Sequence, residues 1–254
     1  MRNFRQSVGL ACAASLLLAP LAFGQATDAE FKCESGVDKA GAKFVNAKSK
    51  CIQKCLAGYW KVPPLNPSSD CYPPYGGLTL TCITDALKGA EGKFSAAIVK
   101  ACAVDCPECY NSGDCSAGAY AGDQVQNIEG QVDSFVPGVA CELGADAGEQ
   151  KCMTNTAKAL SKQVSGVVKC YDKCQANARK SVEPIGDCAP PGAGPTAVCI
   201  AAVDGKAILA VNKLCGDAGA IPDCSGTDDY PNGASWVNLV DIAISGNQPN
   251  TFCE

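Results

Sequence analysis

The stretch from Cys33 to Cys55, CESGVDKAGAKFVNAKSKCIQKC, returns later in the chain as Cys152 to Cys174, CMTNTAKALSKQVSGVVKCYDKC. The two copies share three cysteines and four lysines at a constant offset. In both copies small or apolar residues recur every three or four positions, which is the period of one helix face. The chain is therefore predicted to contain a duplicated helix, around which its other cysteines are arranged.

The duplication extends beyond this first helix. A proline-rich loop follows each copy and ends as D-C-x-P-P-x-x-G-x-T-x-x-C-I, once from Asp70 and once from Asp187. Each loop leads into a second apolar segment, from about Leu80 to Ala103 and from about Ala197 to Leu214, and then into a shorter amphipathic one. We predict an all-α protein of two tandem disulfide-laddered helical hairpins, each with a short third helix and a proline-rich loop.

The N-terminus has the pattern of a secretory signal peptide. Arg2 and Arg5 precede an apolar run from Val8 to Phe23, and small residues follow at the positions of a cleavage site. The run is shorter than the ~20 apolar residues of a membrane span, and we expect no other stretch to cross a membrane. The predicted organisation is a signal peptide at 1–24, a first repeat at 25–141, a linker at 142–151 and a second repeat at 152–254.

Charge and cysteine content indicate an exported protein. The formal net charge is −5, and cleavage would remove two arginines, so nucleic acid is not an expected partner. Cleavage would also remove Cys12 and leave an even number of the 19 cysteines in a chain without histidine. Such a set is typical of disulfides in an oxidising compartment. We expect a secreted protein, extracellular or periplasmic.

Helix geometry predicts how these cysteines pair. Cys33 and Cys51 lie ~27 Å apart along a helix, and Cys82 and Cys102 lie ~30 Å apart. Two antiparallel helices of such similar span bring their ends together, and the remaining cysteines pair across loops. About nine disulfides result: Cys33–Cys102, Cys51–Cys82, Cys55–Cys71, Cys109–Cys141 and Cys106–Cys115, then Cys152–Cys215, Cys170–Cys199, Cys174–Cys188 and Cys224–Cys253.

A thiol-based metal site is one alternative to part of this pairing. Cys102, Cys106, Cys109 and Cys115 follow the spacing C-x3-C-x2-C-x5-C and could offer four thiolates to zinc or copper(I). Export and the complete pairing of the cysteines favour disulfides instead. The C-x-x-C at Cys106 follows a helix, so its thiolate would lack the helix N-terminus that activates redox cysteines.

Few patterns in the chain are typical of catalysis. The absence of histidine excludes Ser-His-Asp and Cys-His catalysis, and we predict neither enzyme activity nor a cofactor. Acid pairs such as Asp228 with Asp229, or Glu108 with Asp114, leave a carboxylate-dependent glycan hydrolase as a further alternative.

The first proline-rich loop and its flanks hold four aromatic residues that the second loop lacks: Tyr59, Trp60, Tyr72 and Tyr75. Aromatic rings on a disulfide-pinned loop suit stacking on sugars or anchoring a protein partner. Alternatively, they cover the end of the helix pair. We predict a non-enzymatic binding or structural protein, a scaffold or adhesive module, with a protein or glycan surface as its partner.

The spacing C-x17-C-x3-C, carried by KAGAKFVNAKSKCIQKC, resembles repeats in uncharacterised cysteine-rich proteins that Gram-negative bacteria secrete or display on their surface. The resemblance covers the first helix of each repeat. It implies export and helical repeats, and it implies no activity and no site residues.

Overall fold

The computed structural model describes residues 27–61, 64–65, 67–116, 128–130, 132–133, 147–215, 233–247 and 252, and this part of the chain contains helices and no strands. The α-helices are α1 (Asp28–Tyr59), α2 (Gly77–Thr84), α3 (Ala90–Ala101), α4 (Ala147–Ala178), α5 (Gly194–Cys215) and α6 (Gly233–Asn247). Residues 128–130 and 132–133 are also helical. The all-α prediction is confirmed. The predicted signal peptide at 1–24 and linker residues 142–146 lie outside the described residues.

The two copies of the duplicated stretch form the longest helices, α1 and α4, with 32 residues each. Helix α1 begins before Cys33 because Thr27 caps it. The Thr27 hydroxyl accepts the Glu30 N–H at 3.1 Å, and the Glu30 carboxylate accepts the Thr27 N–H. Phe44 on α1 and Leu160 on α4 are buried, as the apolar period predicts.

Helices α1 and α4 pack against each other in antiparallel directions. Rising residue numbers on α1 meet falling numbers on α4: Asp28 contacts Arg179 at 2.8 Å, Lys39 contacts Asp172 at 3.1 Å, Asn46 contacts Ser165 at 2.6 Å and Ser49 contacts Ser161 at 3.1 Å. The largest cluster of buried apolar side chains contains residues of both predicted repeats, such as Phe44 and Leu160, while Cys174, Ala178 and Cys188 form a small separate cluster. The repeats therefore share a hydrophobic core through this helix pair.

Every predicted disulfide whose two cysteines are described is present. These bonds are Cys33–Cys102, Cys51–Cys82, Cys55–Cys71, Cys106–Cys115, Cys152–Cys215, Cys170–Cys199 and Cys174–Cys188. Cys109 is disulfide-bonded as well, but its predicted partner Cys141 lies outside the described residues, and so do Cys224 and Cys253. This number of disulfides fits a protein of an oxidising extracellular or periplasmic environment.

The second helix of the first repeat was predicted to be continuous, and this prediction is wrong. The helix is divided into α2 and α3, and the carboxylate of Asp85 lies at the break. This carboxylate accepts the backbone N–H groups of Leu87 at 2.9 Å and Lys88 at 2.6 Å. Asp85 thereby begins a turn in place of further helix. The corresponding segment of the second repeat has four fewer residues between its cysteines, and it forms the uninterrupted α5.

The two proline-rich loops end in the same way. Gly77 and Gly194, the first residues of α2 and α5, have positive φ angles of 48° and 50°. The carboxylates of Asp70 and Asp187 lie 2.7 Å from the position that a Cβ would occupy on these glycines. A side chain there would therefore be strained in its backbone and would clash with the aspartate.

Helix α5 is unusually apolar. Residues Gly194–Lys213 have a mean hydropathy of 1.5 and could cross a membrane by length and composition. The expectation that no stretch outside the N-terminus could do so is therefore wrong by this criterion. In the fold two disulfides join α5 to α4. Ala207 and Val211 face the core, while Val198 and Leu209 are exposed.

Candidate functional site

The structure separates the four predicted binding aromatics. Tyr75 is only 6% exposed, and its hydroxyl donates a hydrogen bond to Asp133. Burial, this hydrogen bond and the nearby carboxylates raise the pKa of Tyr75. Its ring therefore belongs to the interior and cannot stack on a ligand, which corrects its predicted role as a binding residue.

The other three aromatics cover the end of the helix pair. Tyr59, Trp60 and Tyr72 are half-buried and pack against the core. Burial, together with the neighbouring Tyr59, raises the pKa of Tyr72. This placement agrees with the alternative that the aromatic residues cover the end of the helix pair. In addition, Trp60 lines a surface groove.

The groove lies where the C-terminal end of α1 meets the N-terminal half of α4. It has a volume of about 520 Å³, and its walls include Ala57, Trp60 and Lys61 on one side and Lys151, Thr154 and Lys158 on the other. Antiparallel packing brings these two helix ends together. The bonds Cys55–Cys71 and Cys152–Cys215 hold the chain close to the groove on each side.

The polar wall of the groove is basic. Lys61, Lys151 and Lys158 are exposed, and within the described ranges none of their ammonium groups forms an ion pair with a carboxylate. None of these lysines was among the predicted binding residues. The lysines of α4 come near Trp60 only through the α1–α4 packing, and no local sequence signal indicates this.

A buried ion cluster in the first repeat was not predicted. The Lys48 side chain is 0% exposed, and its Nζ lies 2.5 Å from Glu129 and 2.7 Å from Asp133. It also lies 5.0 Å from the centre of the Tyr75 ring. Burial and the Glu129 carboxylate raise the pKa of nearby Glu91, and Lys48 opposes this shift. The cluster joins α1 to the third helical segment.

The second repeat has an acid cluster in a similar place. Asp204 on α5 and Asp241 on α6 hydrogen-bond to each other, and the buried amide of Gln163 on α4 donates to both. Burial, then the Asp204 carboxylate, raises the pKa of Asp241 to about 7. Burial also raises the pKa of Asp204. Both carboxyls remain half-exposed.

This acid pair should make stability fall as pH rises. An acid with a raised folded-state pKa stabilises the fold below its unfolded pKa and loses that contribution as pH passes the folded value. The titratable groups at the site are Asp204, Asp241 and Tyr171. In metal-free buffer we expect the acid pair to lower the free energy of unfolding by roughly 1–2 kcal/mol between about pH 4 and pH 8. The full pKa shift of Asp241 corresponds to ~4 kcal/mol, and solvent screening of the half-exposed carboxyls reduces this value.

Urea denaturation across this pH range tests the expectation. Asp241→Asn cannot ionise, so the difference in unfolding free energy between wild type and this variant should change with pH. A constant difference would contradict the raised pKa.

The four cysteines of the alternative metal site, Cys102, Cys106, Cys109 and Cys115, are disulfide-bonded in the structure and do not offer free thiolates. Cys102 is bonded to Cys33, and Cys106 is bonded to Cys115. These two disulfides are neighbours, and the Sγ atoms of Cys33, Cys102 and Cys115 all lie within 4.8 Å of one another. Three buried sulfur atoms at this separation have the chemistry of a soft-metal site only when both bonds are reduced.

The acid pairs proposed for hydrolysis have no site geometry in the described residues. Glu108 and Asp114 are exposed, and Asp114 accepts the backbone N–H of Ser116 at 2.9 Å, as a turn residue does. Asp228 and Asp229 lie outside the described residues. Comparison of the chain with protein-family models, with curated proteins and with solved structures gave no match.

Proposed function

We propose that this is an exported, non-enzymatic binding protein that holds an acidic oligosaccharide in the groove between α1 and α4. The observation that carries the proposal is the combination of Trp60 with three exposed lysines around one cavity of about 520 Å³, none of which forms an ion pair with a described residue. The disulfides and the predicted signal peptide support export.

The chemistry of the groove matches an acidic sugar at two points. An aromatic face such as that of Trp60 can pack on the apolar face of a sugar ring. The ammonium groups of Lys61, Lys151 and Lys158 would contact carboxylate or sulfate substituents. The chain is acidic overall, but charges more than ~10 Å away are largely screened at physiological salt. The local lysines therefore decide which ligands the groove attracts.

Rigidity supports binding as well. The helix ends that form the groove are held by disulfides on both sides, so little conformational entropy is lost when a ligand is bound. A scaffold role is compatible with the same architecture, since a rigid helix pair can present this groove at a surface.

Tryptophan fluorescence provides a direct test. The chain contains two tryptophans, and Trp236 is buried at 1% exposure, so a ligand in the groove should change the emission of Trp60 alone. We expect oligogalacturonate to change the emission, and a neutral maltooligosaccharide of equal length to act much more weakly. Replacing Lys61, Lys151 and Lys158 by glutamine should weaken binding about tenfold, from three exposed ion pairs.

The matched control changes three exposed lysines away from the groove, Lys43, Lys88 and Lys93, to glutamine. This variant should bind like the wild type. Equal responses to acidic and neutral sugars, or equal losses in both triple variants, would exclude the basic groove as the binding site. Cleavage of the oligogalacturonate during the titration would instead support the hydrolase alternative.

A second candidate function, the thiol-based metal site, rests on the close approach of Cys33, Cys102 and Cys115. It requires Cys33–Cys102 and Cys106–Cys115 to be reduced in the working protein. Intact mass with and without reduction, combined with metal analysis of the exported protein, distinguishes the two candidates. Bound zinc or copper with four or more free thiols would favour the metal site.

A further inference from the structure

Each repeat carries an acid on its second helix and an acid on its third helical segment at equivalent positions, and the first repeat adds Asp133 where the second has Ser245. Counted back from the cysteine that ends the second helix, Glu91 is equivalent to Asp204. Counted back from the cysteine that closes each repeat, Glu129 is equivalent to Asp241. Asp204 and Asp241 lie close together, because the side-chain nitrogen of Gln163 is 3.2 Å from one carboxylate and 2.8 Å from the other. In the first repeat Glu91 lies near Glu129, which raises its pKa. A pair of acids at equivalent positions is therefore present in both repeats.

The two repeats differ in how this charge is neutralised. In the first repeat the buried ammonium of Lys48 lies among the acids and contacts Glu129 directly. In the second repeat the position equivalent to Lys48 is Val167, which is buried and apolar. Within the part of the chain that the structure describes, neither Asp204 nor Asp241 forms an ion pair with a lysine or arginine.

Gln163 shows that the second cluster has too many hydrogen-bond acceptors. Its side-chain nitrogen faces three of them: Asp241 at 2.8 Å, the Val237 carbonyl at 3.0 Å and Asp204 at 3.2 Å. A carboxamide has only two N–H donors for these three. Gln163 is 1% exposed, and its Oε1 has no hydrogen-bond partner among the described residues. An unpaired buried carbonyl oxygen of this kind is unusual and costly.

We propose that the second repeat binds a calcium ion between Asp204 and Asp241, with the amide oxygen of Gln163 turned toward the ion and the Val237 carbonyl as a further ligand. Rotation about the last side-chain bond of Gln163 turns Oε1 toward the ion and moves the amide N–H groups away from Asp204, Asp241 and the Val237 carbonyl. The bound ion must therefore offset the loss of these three hydrogen bonds. Carboxylates, an amide oxygen and a backbone carbonyl are the ligands that calcium prefers. The half-exposed carboxyls leave room for water to complete the six to eight ligands that calcium takes.

The bound ion would neutralise the second cluster as Lys48 neutralises the first. The protein would be exported, and extracellular calcium modules bind with a Kd on the order of 0.1–1 mM. This inference concerns a site distinct from the Trp60 groove and does not depend on sugar binding.

The test is a calcium titration of the full mature protein, with its disulfides intact, after chelator dialysis and at constant pH and ionic strength. Calorimetry should show one site, and calcium at about ten times its Kd should raise the melting temperature by roughly 3–6 °C. Asp241→Asn removes one charged ligand and should weaken binding by about tenfold or more. Gln163→Met keeps the volume, removes the amide oxygen and should also weaken binding.

The matched control is Glu91→Gln, which changes the equivalent acid of the first repeat. It should leave the calcium response intact, because Lys48 already occupies that cluster. If the wild type shows no melting shift with calcium, or if Asp241→Asn responds as strongly as the wild type, the proposal is overturned. An equal response would mean that calcium binds weakly over the acidic surface instead.

Discussion

Replacing Lys48 by methionine is expected to destabilise the protein by about 3–5 kcal/mol, which is the usual cost of removing one partner from a buried ion pair. Methionine fills a similar volume, so the loss comes from charge and not from a cavity. Lys48 is 0% exposed, and the side chains of Glu129 and Asp133 are 27% and 22% exposed. Two carboxylates would thus be left partly desolvated and close together. Urea denaturation near neutral pH measures the change.

Lys50→Met is the matched control, because Lys50 is an exposed lysine on the same helix and should change stability by less than about 0.5 kcal/mol. A second variant tests whether the loss of stability comes from the uncompensated carboxylates. Adding Glu129→Gln and Asp133→Asn to Lys48→Met should restore most of the stability, since neutral replacement of a whole buried ion cluster is often tolerated. If Lys48→Met cost no more than Lys50→Met, the cluster would contribute nothing to the fold.

Removing the disulfide between Cys33 and Cys102 should lower the free energy of unfolding by about 4 kcal/mol. This is the second of the two largest effects that we expect. This bond closes a loop with a sequence separation of 69 residues, and the stabilisation expected from restricting the unfolded chain grows with loop length. It also holds the N-terminal half of α1 against the end of α3. The double variant Cys33→Ala with Cys102→Ala, unfolded in guanidinium without reductant, gives the measurement.

Cys106→Ala with Cys115→Ala serves as the comparison. Its bond has a sequence separation of only 9 residues, and the chain-entropy model expects a smaller cost of roughly 2–3 kcal/mol. The longer loop should therefore show the larger loss of unfolding free energy. The reverse order would indicate that native-state contacts of these cysteines, and not the entropy of the unfolded chain, dominate.

The sequence predicted the helices well because their signals are local. An apolar residue every three or four positions defines the buried face of α1 and of α4, whatever packs against it. The break at Asp85 was missed because a single side chain competes there with continued helix, and the period around it remains helical. Tyr75 was assigned to a binding surface because its sequence neighbours are aromatic, whereas its contact is Asp133, far along the chain.

The sequence by itself determined the cross-links of the hairpins. A helix has a fixed rise per residue, so the span between Cys33 and Cys51 already selects which cysteines of the returning helix they can reach. Only the tertiary structure decided where the candidate sites lie. The groove at Trp60, the buried ammonium of Lys48 and the acids around Gln163 each join helices that are distant in sequence. Such contacts depend on how the helices rotate and cross, which no local pattern of residues specifies.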